Sequence, residues 1–112
     1  MPKTRSSEQL LAKPSIAKAL IEYQEGSVVS RAIIDKKTGS VTLFAFDENQ
    51  CLSEHKAPYE ALIQVLEGEI DFTISGKLSK LKEGEMIIIP TNALHSLISK
   101  TKSKMLLTMI KS

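Results

Sequence analysis

Hydrophobic and polar positions follow a helical pattern in the first part of the chain. Between Ser6 and Tyr23 the apolar residues recur at helical spacing, but Pro14 interrupts the stretch because proline lacks the amide hydrogen that a helix interior needs. The pattern therefore predicts two short helices. Ser6 with Gln9 resembles a capping box for the first helix, and Ser15 can cap the second.

The second predicted helix has an apolar stripe. Ile16, Leu20 and Tyr23 recur at helical spacing, and such a stripe needs a partner surface. We expect it to pack on the outside of the domain, with a lid over a ligand site as the alternative. Residues 1–25 are thus expected to form a helical extension of a single domain that occupies residues 1–112.

After Gly26 the pattern changes to short runs rich in β-branched and aromatic residues, separated by turn residues. Runs at 27–34 and 41–46, joined by a turn at 35–39, predict a β-hairpin. Further strands are predicted at 62–66, 70–74, 86–89 and 104–110. So many short strands must hide their edges, which predicts an all-β antiparallel fold of the jelly-roll type, often with a second copy of the chain covering an exposed sheet.

Composition restricts the class of protein. The 112 residues suffice for one hydrophobic core, and 42% hydrophobic with 25% charged residues is typical of a globular chain. The net charge of +2 comes from scattered basic residues, so we expect no nucleic-acid partner. Cys51 is the only cysteine, the start of the chain lacks the apolar run of a signal peptide, and no apolar run is long enough to cross a membrane. A cytoplasmic location and no membrane partner are the expectations.

Two segments carry a more specific pattern. His55 to Glu69, with the sequence HKAPYEALIQVLEGE, resembles the first motif of the cupin superfamily, which is His-x-His, three or four residues, Glu, six residues and Gly. Gly68 takes the closing glycine position. Gly84 to His95, with the sequence GEMIIIPTNALH, is similar to the second motif, in which Pro-x-Gly and a histidine follow the first glycine. Asn92 stands at the second glycine position, and asparagine tolerates the left-handed backbone of such turns.

The resemblance covers about residues 40–110 and implies an antiparallel double-stranded β-helix, the jelly-roll barrel of cupins. In that family two histidines, a glutamate and a third histidine hold a divalent metal. This chain keeps the first and last of these ligands as His55 and His95, whereas Ala57 and Ala61 occupy the other two positions. Strand parity predicts that positions 55, 57 and 61 point into the barrel, and that position 95 meets them from the facing sheet.

Two imidazoles alone make a poor metal site, because catalytic zinc usually has three protein ligands and non-haem iron two histidines and a carboxylate. Cys51 shares the parity of His55 and could add a thiolate, while Glu60 would need a bulge to turn inward. We therefore expect no cofactor or a weakly bound divalent metal. The predicted pocket is lined by alanines that leave space and by a few larger residues: His55, Ala57, Ala61, Ile63, His95 and Ser99.

Three functions stay open at this point. The first is a homodimeric cupin that binds a small molecule through His55 and His95, which would act as hydrogen-bonding or acid–base groups. The second is a metal-dependent dioxygenase or isomerase with an atypical third ligand. The third is a sensing or interaction module whose barrel is packed shut. The homodimer is predicted to use a patch that includes Leu62 and Leu66, on the strand face opposite Ile63 and Val65.

Overall fold

The computed structural model describes residues 5–112, and side chains from Glu8 onward. The described part of the chain starts with helix α1 and a short 3-10 helix, and none of its helices has the length and apolar content to cross a membrane. Nine strands follow. The bounds are α1 Arg5–Leu10, the 3-10 helix Ala17–Leu20, β1 Val28–Lys36, β2 Gly39–Phe46, β3 Cys51–His55, β4 Glu60–Glu67, β5 Glu69–Ile74, β6 Lys77–Lys82, β7 Met86–Ile89, β8 His95–Ser99 and β9 Ser103–Ile110.

The strands form two antiparallel sheets that enclose the main hydrophobic core. One sheet has the order β1-β2-β9-β4-β7 and the other the order β3-β8-β5-β6. Phe46, Ile63 and Val65 from the first sheet pack against Ile70 and Phe72 from the second, and all five are at least 98% buried. The predicted all-β jelly roll is confirmed.

The predicted strands are present, and the first hairpin is tighter than expected. Lys36 pairs with Gly39, so the turn contains two residues rather than the five predicted. Strand β6 was not predicted, and β3 and β8 were assumed from the two histidine positions without being delimited by the hydrophobic pattern. Their sequences, CLSEH, KLSKLK and HSLIS, carry too many polar side chains to show an apolar run.

The second helix is shorter than predicted and is not capped by Ser15. Only a 3-10 turn forms, and Ile16 occupies the N-cap position with an extended backbone and no side-chain cap hydrogen bond. A single turn presents too little surface to bury the whole predicted stripe, and Ile16 is 70% exposed. The capping box proposed at Ser6 lies outside the described side chains.

The rest of the stripe packs on the outer face of the five-stranded sheet, as expected. Leu20 and Tyr23 lie against a second apolar cluster that contains Ile21 with Leu43 and Ala45 of β2. The Tyr23 hydroxyl donates a hydrogen bond to the carboxylate of Glu67 on β4. Burial, and then this carboxylate, raise the pKa of Tyr23 above its ordinary value, which keeps the hydroxyl protonated as a donor. The segment from Ala17 to Tyr23 is therefore fixed by both apolar and polar contacts.

Gly68 joins β4 to β5 at a point where two segments approach closely. Its φ of +83° lies in the left-handed region, and a Cβ there would lie 2.9 Å from the Cα of Ser103 and closer still to the carbonyl oxygen of Lys102. Ser103 is fully buried, and its hydroxyl donates to the Glu69 carbonyl at 3.0 Å. Only glycine fits this crossing, which explains its place in the first motif.

Replacing Gly68 by alanine should destabilise the fold by about 2–4 kcal/mol, because backbone strain and a backbone clash act together. Gly76→Ala is the matched control. Gly76 has a similar φ of +81°, but nothing lies within 4 Å of its added Cβ. Gly76→Ala should lower the free energy of unfolding by about 1 kcal/mol, from backbone strain alone. Urea unfolding measures both free energies, and equal losses for the two variants would contradict the close approach.

Candidate functional site

Strands β3 and β8 bring the two histidines together. His55 is the direct cross-strand partner of His95, and their ring centroids are 4.3 Å apart with an angle of 59° between the ring planes. The two strands are neighbours in the four-stranded sheet. The prediction that position 95 would meet position 55 from the facing sheet is therefore wrong, whereas the predicted meeting of the two rings is confirmed.

A bulge in β3 decides which of its side chains point inward. The register between β3 and β8 shifts between Leu52 and His55, so both of these residues line the internal cavity although they are three positions apart. Cys51 is exposed and lies opposite Ile98 on the outer face. The parity argument that placed Cys51 beside His55 assumed a regular strand, and the structure does not bring its thiol to the site.

The loop after β3 is held by the turn that precedes β8. The Asn92 amide donates to the Ala57 carbonyl at 2.8 Å, and Asn92 itself has a left-handed φ of +64°. This confirms that asparagine replaces glycine in the second motif without disturbing the turn. Ala57 lines the cavity from this loop, since β3 ends at His55 and β4 begins only at Glu60. Strand parity therefore does not explain its position.

The facing sheet supplies the opposite wall. Ala61 and Ile63 of β4 line the cavity, whereas Glu60 is exposed on the other side of that strand, as its parity predicts. The cavity has a volume of about 80 Å³. Its remaining lining is mostly apolar: Phe44, Leu52, Tyr59, Phe72, Ile89, Ser96, Leu97, Met105, Leu107 and Met109.

The sequence contained a signal for part of this lining that our prediction did not use. Met105, Leu107 and Met109 alternate along β9 and all line the cavity. Met109 is the cross-strand partner of Ala61, so its long side chain stands next to the vacant glutamate position. Tyr59 was missed because it belongs to a loop, where no periodicity predicts orientation.

Ser99 lies outside the cavity, in contrast to its predicted place in the pocket. It is fully buried on β8, where its hydroxyl donates to the Asp47 carbonyl at 2.6 Å and accepts from the Gln50 amide at 2.9 Å. These bonds fix the loop between β2 and β3. Ser99 on β8 thus anchors the loop that leads into β3, the strand that carries His55, and its role is structural.

Backbone carbonyls orient both imidazoles in the same way. Nδ1 of His55 lies 2.8 Å from the Ser53 carbonyl oxygen, and Nδ1 of His95 lies 2.9 Å from the Ala93 carbonyl oxygen. His55 is exposed and His95 half-buried, so the pair stands where the cavity opens to solvent. Both ring positions are thereby fixed by contacts with the backbone.

The donor set does not fit the divalent metal of the family. Two imidazoles are present, and in residues 5–112 no group of three or more His, Cys, Asp or Glu side chains is arranged to hold a metal ion. The two missing positions carry methyl groups, at Ala57 and Ala61, that cannot coordinate. Cys51 and Glu60 are exposed and do not line the cavity.

Comparison with known proteins agrees with this architecture. Similar solved structures include a conserved protein of unknown function from Streptococcus pyogenes, with 25% identity, a TM-score of 0.86, and coverage of 90% of this chain and 89% of that chain. A cupin superfamily protein from Desulfitobacterium hafniense has 25% identity and a TM-score of 0.86, with 90% of this chain and 93% of that chain covered.

A cupin 2 conserved barrel domain protein from Leptotrichia buccalis has 36% identity and a TM-score of 0.81, over 84% of this chain and 46% of that chain. Among curated proteins the comparison finds no match. The family model for the cupin domain matches residues 42–111, which is more than half of the chain and includes both motifs. With two facing antiparallel sheets and both motifs in order, this chain belongs to the cupin family.

Proposed function

We propose that this cupin binds a small organic molecule in the cavity between its sheets and does so without a tightly held divalent metal. The observation that carries the proposal is an apolar cavity of about 80 Å³ with two imidazoles at its opening. Such an arrangement, apolar walls with a few placed polar groups, is typical of ligand sites. The apolar walls supply affinity by burial, and the imidazoles orient the ligand.

The volume limits the ligand to a small compound. Pockets for drug-sized ligands usually measure about 300–1,000 Å³, well above this cavity. Ala57 and Ala61 provide part of the space, because the family pattern has an imidazole and a glutamate side chain at these positions. A ring or branched compound of a few heavy atoms matches the site.

The other two hypotheses have less support. A metal-dependent enzyme needs a third ligand, and the side chains suggested for it, Cys51 and Glu60, are exposed away from the cavity. A pure interaction module would have its barrel filled by side chains, whereas space is present beside Ala61. No observation on the described residues favours either one over ligand binding.

Metal content tests the proposal directly. Untagged protein should retain far less than one metal ion per chain after dialysis, because two imidazoles hold a divalent ion poorly. The matched variant carries Ala57→His and Ala61→Glu, which restore the family ligands. Its zinc affinity should rise by about 100-fold or more, since the added ligands complete the coordination shell. One tightly held ion per wild-type chain, resistant to EDTA, would contradict the proposal.

We also propose that the chain forms a homodimer through the outer face of the five-stranded sheet. Leu66 does not belong to the available surface, because it packs against the apolar cluster beneath the N-terminal extension. Leu62 does. It lies in a cross-strand row with Ile34, Val41, Thr108 and Ile88, one residue from each strand of the sheet.

Both ends of this row are open to solvent, with Ile34 48% and Ile88 53% exposed. Five strands span about 20 Å, so the row offers a mostly apolar surface from edge to edge of the sheet, interrupted only by the Thr108 hydroxyl. In the adjacent row Lys36 on β1 and Glu60 on β4 stand at opposite ends. A twofold axis parallel to the strands would bring these opposite charges of two copies together, which favours a second copy as the occupant.

Ile88→Lys should convert the dimer to a monomer, because it places an unpaired charge in the apolar row. Leu78→Lys is the control, since Leu78 is 52% exposed on the other sheet and should leave the dimer intact. Sedimentation velocity at micromolar concentration measures both. A wild-type chain that sediments as a monomer, or equal behaviour of the two variants, would contradict this interface.

A further inference from the structure

The hydrogen bonds to the two histidines define which ring nitrogens are available to a ligand. A carbonyl oxygen can only accept, so the contacts with Ser53 and Ala93 require a proton on Nδ1 of both His55 and His95. In the neutral ring the second nitrogen, Nε2, then has no proton and acts as an acceptor. The site therefore presents two acceptors of the same kind, each fixed by its own strand.

The remainder of the cavity offers no fixed charge. Tyr59 and Ser96 contribute the other polar side chains, and none of the described residues that line the cavity is Lys, Arg, Asp or Glu. The nearby cation of Lys111 lies 5.8 Å from the Tyr59 ring centroid and is not part of the lining. A buried carboxylate or phosphate would lose its hydration without gaining an ion pair, which is unfavourable.

From these observations we infer the class of ligand: an uncharged compound of a few heavy atoms, with an apolar ring or branched body and a hydroxyl group that donates a hydrogen bond to Nε2 of the histidine pair. Phenols and small cyclic alcohols belong to this class, and carboxylates and phosphate esters do not. The inference rests on the proposed ligand-binding function and makes it more specific.

The hydroxyl should matter more than the shape of the body. A hydroxyl proton can pair with one of the two Nε2 acceptors, whereas a ligand of equal size without the donor covers the imidazoles and pairs with neither, and an unpaired acceptor is costly when it is removed from water. Because His95 is only half-buried and His55 is exposed, the discrimination should be about tenfold rather than the larger factors of fully enclosed sites.

Three matched probes test the inference on the full chain: phenol, anisole, and benzoate. Anisole keeps the ring and the oxygen but cannot donate, and benzoate carries a charge. Titrations followed by two-dimensional NMR should be performed at pH 8, where phenol keeps its proton and benzoate is ionised. Phenol should shift the resonances of cavity residues such as Ala61 and Ile63 and saturate, anisole should bind about tenfold more weakly, and benzoate should not saturate.

Variants show whether the imidazoles cause the preference. His95→Phe and His55→Phe remove an acceptor while keeping a ring, and together they should reduce the ratio of phenol to anisole affinity to about one. His95→Gln retains a carbonyl oxygen that can accept, so it should preserve part of that ratio. The ratio is informative even where a variant changes the cavity, because both probes experience the same change.

The outcomes separate this inference from the proposed function. Anisole binding as tightly as phenol, or benzoate binding more tightly, would overturn the ligand class while leaving ligand binding in place. A ratio that is unchanged in the double His→Phe variant would also overturn it. If none of the three probes shifts the cavity resonances, the proposed function itself is contradicted.

Discussion

The pairing of β3 with β8 is the constraint on which the site depends. It sets His55 directly opposite His95, and backbone carbonyls then orient each ring. Two features outside the site maintain this pairing: the buried Ser99 hydroxyl, which fixes the loop before β3, and the turn at Asn92, which fixes the chain before β8. The positions of the imidazoles are thus set by the backbone framework.

Ala57 and Ala61 make the cavity beside the histidines apolar. In the family pattern, positions 57 and 61 help to enclose a metal ion; here they widen an apolar cavity that the histidines flank. The fold still supplies what cupins share, namely two sheets that face each other and a mouth reached by loops. At the mouth, where the family pattern has four metal ligands, this chain has two imidazoles and two alanines, and the interaction we propose there is acceptance of a hydrogen bond from a ligand.

Much of the fold was predictable because its information is local. Gly68 and Asn92 occupy positions where the backbone requires a left-handed conformation, and motifs built on such residues identify the barrel. The side-chain environment was less predictable. The prediction placed Cys51 wrongly because β3 contains a bulge, and it placed Ser99 wrongly because the Ser99 hydroxyl binds the loop before β3. Neither feature has a periodic signal in the sequence. Tyr59 was missed for the same reason, since it lies in a loop.

Observation of the histidine pair in solution is the most direct test of this account. The chain has only two histidines, so one histidine variant is enough to assign both sets of ring signals. We expect nuclear Overhauser contacts between the two rings, and long-range proton–nitrogen spectra at neutral to alkaline pH that show protonated Nδ1 and bare Nε2 in both. Rings without mutual contacts, or a predominance of the Nε2-protonated form, would contradict it.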